Sequence, residues 1–255
     1  MSGFVDVHTH VLPGVDDGVR TLDEAVATAA EAAAAGVEAM VATPHVRDDY
    51  PTSADTIEDG VAALRRELAD RGVALELHPG AELALERVVA IDPGELRRYS
   101  IAGGPYVLVE FPYRGWPAGA EAVAATLLRN GFTPLLAHPE RNDAIAERPE
   151  RLRPLVEVGF FVQVTSGSVT GGLGRTARRA AEALLELGLV HVVATDLHGP
   201  SLDRAGLAAA FEALGGNAAA RTLVATAPRA VLEGAPLPSA PASRKNPWWK
   251  RSRGR

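Results

Sequence analysis

The sequence predicts an α/β protein in which parallel strands alternate with covering helices and close, or nearly close, into a barrel. Three observations carry that expectation. Short β-branched runs alternate with Ala- and Leu-rich amphipathic stretches of ten or more residues. Seven such strands can be placed in succession. Each ends at or beside a polar residue, as strands do when their C-terminal ends share one functional rim. An open doubly wound sheet is the alternative, because strand number alone does not prove closure.

The strands fall at Phe4–His8, Val37–Thr43, Ala74–His78, Tyr106–Phe111, Thr133–Ala137, Phe160–Thr165 and Val190–Thr195. Between the first two, Thr21 and Glu24 form a capping-box pattern ahead of LDEAVATAAEAAAA, and Gly36 stands where a helix ends. Further helices are expected at Ser53–Arg71, Ala118–Asn130, Arg148–Val158, Arg175–Leu187 and Leu202–Leu214, with short helices continuing to about Leu232. Gly131, Gly159 and Gly188 close three of them.

A chain of 255 residues at 47% hydrophobic composition suffices for one large core, so a single domain over residues 1–234 is expected. Cysteine is absent, which excludes disulfides, thiolate metal ligands and a cysteine nucleophile. No apolar run reaches the roughly 18 to 20 residues of a membrane span, and the N-terminus has no secretory pattern, so a cytoplasmic location is expected. The net charge is −6; residues 235–255 hold six basic residues and no acidic one, which leaves −12 on the preceding 234. So acidic a body argues against nucleic acid as a partner. The tail is Pro-rich and aperiodic and reads as disordered. Its basic residues with Trp248 and Trp249 offer weak contact with an anionic membrane surface.

The polar strand ends carry the chemistry. The first strand leads into DVHTHVLPGVDDG with His8 and His10, the second to His45 in ATPH, and the third to Glu82 in GAEL. The fourth holds Glu110 in VEFP, and the fifth runs through His138 to Arg141 in LAHPERN. The sixth ends in QVTSGS, and the seventh in VATDLH with Asp196 and His198. Residues i and i+2 of a strand share a face about 6 to 7 Å apart, so both imidazoles of His-x-His reach one ion. Asp16 or Asp17 returns across them from the following loop. Histidine and carboxylate donors without sulfur suit Mn2+, Fe2+ or Zn2+. Nine such donors exceed the needs of one ion and indicate two or three bridged by carboxylates.

In order and position, HTH, the single His45, GAEL, HPER and DLH resemble the PHP superfamily of metal-dependent phosphoesterases. More narrowly, DVHTHVLPGVDDG, ATPH, GAEL, VEFP, LAHPERN and QVTSGSVTGGLG are similar to the capsule-type bacterial tyrosine phosphatases of the CpsB/YwqE family, over about residues 4 to 230. That resemblance implies a distorted TIM-like (β/α)7 barrel whose trinuclear centre hydrolyses phosphotyrosine through a metal-bound hydroxide, manganese being the first expectation for the ions. By the same resemblance His8, His10, Glu82 and Asp196 would hold one ion, Glu82, Glu110 and His138 a second, and Asp17, His45 and His198 a third. Arg141 matches the arginine that contacts the phosphate. Leu197 departs from the small residue usual between the last two ligands. The implied partner is a phosphotyrosine protein, a bacterial tyrosine kinase regulating capsular or exopolysaccharide synthesis. Two alternatives stand beside this reading: a small-molecule phosphomonoesterase of the histidinol phosphatase kind, and a non-catalytic scaffold for phosphoproteins.

Other polar and aromatic residues have plainer expectations. His78 and His191 read as structural or solvated, and Phe111 as packing. Tyr113 and Trp116 are open between packing and a cleft wall, and the glycines of TSGSVTGGLG between an anion nest and a tight turn.

Overall fold

The computed structural model describes residues 3–200 and 206–241. Strand β1 (Phe4–Thr9) pairs in parallel with β2 (Val37–Ala42). After Thr43 and Pro44 the chain resumes as β3 (His45–Arg47), which turns back through the two-residue antiparallel strand β4 (Tyr50–Pro51). The next strand position is also interrupted: β5 (Glu76–Pro79) and β6 (Glu82–Ala84) are separated by Gly80 and Ala81. Register is carried unchanged across both interruptions, from Ala39 opposite Glu76 and Ala42 opposite Pro79 to His45 opposite Glu82 and Val46 opposite Leu83. A bond from Glu82 N to Pro44 O (3.0 Å) spans the break. Proline has no N–H for a ladder, so these strands bend where the proline stands.

The remaining strand positions are continuous. Strands β7 (Tyr106–Glu110), β8 (Thr133–Ala137), β9 (Phe161–Thr165) and β10 (Val192–Ala194) follow in parallel from β6. Beyond β10 the chain returns to β1: Asp196 N bonds His8 O (2.9 Å) and His10 N bonds Leu197 O (2.8 Å). That closes the barrel expected from the sequence. Asp6, fully buried, also ties β1 to the end of β10 by accepting from Thr195 N at 3.0 Å.

Alternate strand residues divide between two apolar layers, as a period of two requires. Val107, Val109, Leu136 and Val193 pack with Leu64, Leu127 and Leu184 of the surrounding helices. Leu108, Leu135, Val192 and Val7 belong to a second cluster with Ala227 and Val231 near the C-terminal end of the described chain. The helix Leu22–Ala34 has the expected capping box at Thr21, and Ala54–Asp70 is capped by Ser53 and buries Ile57, Val61, Leu64 and Leu68.

Several boundaries differ from expectation for identifiable reasons. The stretch expected as one helix at Arg148–Val158 is a 3-10 turn (Pro149–Leu152) followed by a short helix (Arg153–Glu157), because Pro154 cannot donate in a helix interior. The last strand begins at Val192 rather than Val190: His191 N still bonds Val162 O (2.9 Å), but the Val162 N–H goes to the ring Nδ1 of His191 (3.1 Å) and not to a backbone carbonyl. Pro93–Tyr99, capped by Asp92, was absent from the expected elements. Of Leu202–Leu214, residues 202–205 lie outside the described residues, and the helix seen is Leu207–Ala213. Most of the tail expected to be disordered, residues 242–255, also lies outside them.

Candidate metal centre

All nine candidate ligands gather at the C-terminal ends of the strands. His8 and His10 sit on β1 and just after it, fully buried, with their Nε2 atoms 3.2 Å apart. Both Nε2 atoms point at the same carboxylates, lying 3.4 Å from Glu82 Oε2 and 3.3 and 3.2 Å from Asp196 Oδ1. Their opposite ring nitrogens are already committed. His8 Nδ1 meets Gln163 Oε1 at 3.0 Å, and His10 Nδ1 meets Asp16 Oδ2 at 2.7 Å. An amide or carboxylate oxygen can only accept, so each Nδ1 carries a donated proton, which leaves each Nε2 as the nitrogen free to meet a cation, or in its absence a proton, shared with the carboxylates.

The other donors follow the broken strands. His45, the first residue of β3, places Nδ1 2.9 Å from Glu82 Oε2 and 3.7 Å from Glu110 Oε2, while its Nε2 is 3.4 Å from Asp17 Oδ1. His198 Nε2 is likewise 3.4 Å from Asp17 Oδ1, and its Nδ1 lies 2.8 Å from the backbone oxygen of Asp196. His138 Nε2 lies 2.8 Å from Glu82 Oε1 and 4.0 Å from Glu110 Oε1. Among the described residues, four sets of donor atoms are close enough to share an ion: His10, Asp17, His45 and His198; His8, His10 and Glu82; His8, His138 and Asp196; His45, Glu82 and Glu110.

The sequence alone left Asp16 and Asp17 as alternatives. Asp16 accepts from His10 Nδ1, from His45 N (3.0 Å) and from Gly18 N (2.9 Å), so both its oxygens are taken up in holding the loop and the ring. Asp17 faces the open side, toward His45 and His198.

Polar groups here are poorly satisfied by the protein itself. Both carboxylate oxygens of Glu82, Glu110 Oε1 and His45 Nδ1 are buried without a hydrogen bond of normal direction among the described residues. Such groups cost free energy unless a cation or proton compensates them. Protons show the demand: burial opposes the charged form of His138, yet Glu82 and Asp196 lift it to about 9. Burial acts the same way on His10, and Asp16, Asp196 and Glu82 overcome it to hold the ring well above its ordinary value. Glu110 is pushed up by burial and by neighbouring Glu82. The residues therefore fit divalent cations, whose charge would take the place of those protons. Two of the candidate ligands sit in strained backbone, His138 at φ 29° and Asp196 at φ 56°, a region non-glycine residues seldom occupy outside functional sites.

Arg141 borders this cluster and bonds Asp196 Oδ2. Its guanidinium lies 4.9 Å from the centre of the Tyr113 ring, which is parallel to His138 within 5° at 6.0 Å. On the other flank Arg47 covers Tyr50 at 5.0 Å, and Tyr50 stacks on His45 at 5.8 Å. Gln163 and Tyr50 carry no expectation from the sequence; Asp16 was an alternative to Asp17 as a donor, and Tyr113 was open between packing and a cleft wall. The available signal for Gln163 was chemical: a ligating histidine needs a partner for its second nitrogen, and Gln163 is the polar residue inside a strand otherwise rich in valine. Glu140, buried within HPER, accepts from Thr165 N at 2.8 Å and anchors the chain leaving β9.

The remaining aromatic, histidine and glycine expectations divide. Phe111 packs edge-on against Phe160, and Trp116 rests on the core beneath Arg151. Tyr113 belongs to the site. His78 and His191 take no part in the cluster. The chain after β9 forms a short helix, Ser166–Thr170, ended by Gly171 in the left-handed region, which favours the turn over the anion nest.

The profile of capsular polysaccharide synthesis proteins, CpsB/CapC, matches residues 4–233. Tyrosine-protein phosphatase YwqE of Bacillus subtilis (strain 168) is 33% identical over 196 residues, 76% of this chain and 77% of that protein. Tyrosine-protein phosphatase CpsB of Streptococcus pneumoniae is 27% identical over 203 residues, 76% and 83% of the two chains. Among solved structures, one from a study of YwqE from Bacillus subtilis and CpsB from Streptococcus pneumoniae, described as metal-dependent tyrosine phosphatases, superposes with a TM-score of 0.82. It is 29% identical, and the match covers 95% of this chain and 100% of that one.

Proposed function

The chain belongs to the CpsB/CapC family of capsular polysaccharide synthesis proteins, and from that premise we propose that it is a metal-dependent protein-tyrosine phosphatase. The observation that carries the reading is the pair of His8 and His10 Nε2 atoms, 3.2 Å apart, facing Glu82 and Asp196 while their other nitrogens are held by Gln163 and Asp16. Such an arrangement is organised for cations and for little else.

His8, His10, Glu82 and Asp196 would hold one divalent ion, Glu82, Glu110 and His138 a second, and Asp17, His45 and His198 a third. Divalent ions so held neutralise phosphate oxygens and bring a water toward neutral pKa, which is what hydrolysis of an anionic monoester chiefly lacks. The donors contain nitrogen and oxygen and no sulfur, which suits Mn2+ and admits Fe2+ or Zn2+.

The residues around the ions do the positioning. Asp16 and Gln163 fix the tautomers of the two paired histidines. Arg141 contributes a charge that is never lost and a planar fork for phosphate oxygens, and Tyr113 supports it from the ring face. A phenol leaves with a pKa near 10, so a tyrosine ester needs less proton assistance than an alkyl ester. The substrate we infer is a phosphotyrosine of a tyrosine kinase governing surface-polysaccharide export, met in the cytoplasm. Among the described residues no helix is long and apolar enough to cross a membrane. The basic, Trp-containing tail is assigned weak contact with an anionic membrane surface.

The test is hydrolysis of p-nitrophenyl phosphate and of a phosphotyrosine peptide before and after stripping with EDTA. Activity should vanish on stripping and return with Mn2+. Full turnover by the stripped protein would overturn the reading.

A further inference from the structure

Beside the metal-ligand cluster lies a cleft of about 610 Å3. It is lined by the polar Asp17, Asp196, His198 and Arg141 and by the apolar Leu173, Leu197 and Pro200. A phosphotyrosine brings two chemically different halves to such a cleft: a dianion for the polar lining and an aromatic ring that gains only from apolar contact.

Leu173 is one of the few large apolar side chains left exposed among the described residues, at 47%. It is nevertheless held in place. Its N–H bonds Gly167 O (3.2 Å), and its neighbour Gly174 bonds Gly171 O (3.2 Å), with both of those glycines in the left-handed region. Gly167 lies directly beneath it: a Cβ there would come within 3.0 Å of Leu173 Cγ. The side chain thus rests on bare backbone, against a helix start that Glu140 anchors through Thr165. A single exposed leucine is ordinary on a protein surface; this one differs in lining the same cleft as Arg141 and Asp196 and in being fixed there by the turn. Of the other apolar side chains nearby, Leu197 lines the cleft but is buried, Pro200 lines it too, and Tyr113 is covered by the Arg141 guanidinium and does not line it.

We propose that Leu173 is the specificity-determining lip against which the ring of an aryl phosphate lies while its phosphoryl group meets Arg141 and the metal ligands. This deepens the phosphatase reading above and rests on it. It places the preference for aryl over alkyl monoesters in the GGLG turn, which the ligand motifs leave unexplained.

The experiment compares metal-loaded wild type, Leu173→Ala and Leu173→Phe on a phosphotyrosine peptide and on a phosphoserine peptide of the same sequence. Calorimetry with phenylphosphonate and methylphosphonate accompanies it, since neither is hydrolysed. Leu173→Ala should lose about tenfold in kcat/KM on the aryl ester, mostly through KM, and leave the alkyl ester unchanged. Leu173→Phe should restore the preference, and the phenylphosphonate advantage in binding should shrink and recover in parallel. An unaltered aryl-to-alkyl ratio, or equal losses on both, overturns the proposal. A loaded wild type inert toward both esters overturns the phosphatase reading instead, and the phosphonate pair still decides whether Leu173 grips an aryl group.

Discussion

The two sides of the barrel are built on different terms. From β7 to β10 the strands run unbroken, and their candidate ligands Glu110, His138 and Asp196 come at or just past the last strand residue. From β2 to β6 each strand position is snapped, at Thr43-Pro44 and again at Pro79-Gly80-Ala81, and the ligands His45 and Glu82 open the second piece. The unbroken side needs strained backbone at His138 and Asp196 to turn its ligands inward. The broken side achieves the same through a bend at proline and keeps both ligands in regular strand pairing, opposite one another. The lesson is that a ligand can be aimed either by straining the residue itself or by interrupting the strand before it.

The largest effect is expected on the broken side, at Glu82. Its two oxygens lie within 2.8 to 3.4 Å of imidazole nitrogens from His8, His10, His45 and His138. Glu82→Gln removes the charge shared by two of the inferred ions, so turnover of p-nitrophenyl phosphate should fall on the order of a thousandfold or more, together with metal content measured by plasma emission. Retention of all bound metal in the variant would contradict the central place given to this residue. Arg141, on the unbroken side, should behave differently. Arg141→Ala should cost kcat about a hundredfold or more while metal content stays at the wild-type level, because the arginine serves the phosphoryl group and not the ions. Loss of metal in step with activity would erase the distinction.

The same contrast governs what could be read in the sequence. The unbroken strands were legible as β-branched runs, and β7 and β8 fall within a residue of expectation, because continuous burial leaves a continuous signal. The short pieces β3, β4 and β6, each of two or three residues, carry too few side chains for any period to show. The candidate ligands were marked by His-x-His and by motifs recurring at strand ends. Asp16 was named only as an alternative to Asp17, and Gln163 not at all, because holding a ring nitrogen leaves no spacing rule in one dimension: Gln163 is 155 residues from His8. Tyr50 was hidden and Tyr113 left open for the same reason, since stacking on a histidine is a property of the folded rim.

A smaller effect tests the unbroken side alone. His191 is buried between β9 and β10 and accepts the Val162 N–H, away from every candidate ligand. Burial holds it down to about 4 from an ordinary 6.5. Between those values the unfolded chain takes the proton and the folded chain does not, so this contribution to stability is complete above about pH 6.5 and is lost as pH falls toward 4. At pH 5 the loss amounts to about 2 kcal/mol. Urea unfolding at pH 7.5 and pH 5 should show wild type losing about that much more than His191→Gln, which keeps an acceptor for Val162 and cannot titrate. Equal losses in the two proteins would place the ring in a more solvated setting than the one described.

The least effect is expected at the break itself, and it bears on whether the interruption is a built feature or a loosely tolerated one. Gly80 follows the proline of β5 and lies against β2 so closely that a Cβ would stand 2.9 Å from Val41 Cγ1 and 3.3 Å from Thr43 Cγ2. Both contacts are with β-branched side chains, which have little rotamer freedom to yield, and Val41 is wholly buried. Gly80→Ala should therefore cost about 1 to 2 kcal/mol, read as a drop in thermal midpoint of a few degrees. It should also lower turnover severalfold, because Glu82 is only two residues on and its opposition to His45 depends on register carried through the break. If the midpoint fell and turnover did not, the bend would matter to packing alone, and the aiming of Glu82 would rest on its own strand pairing with β7.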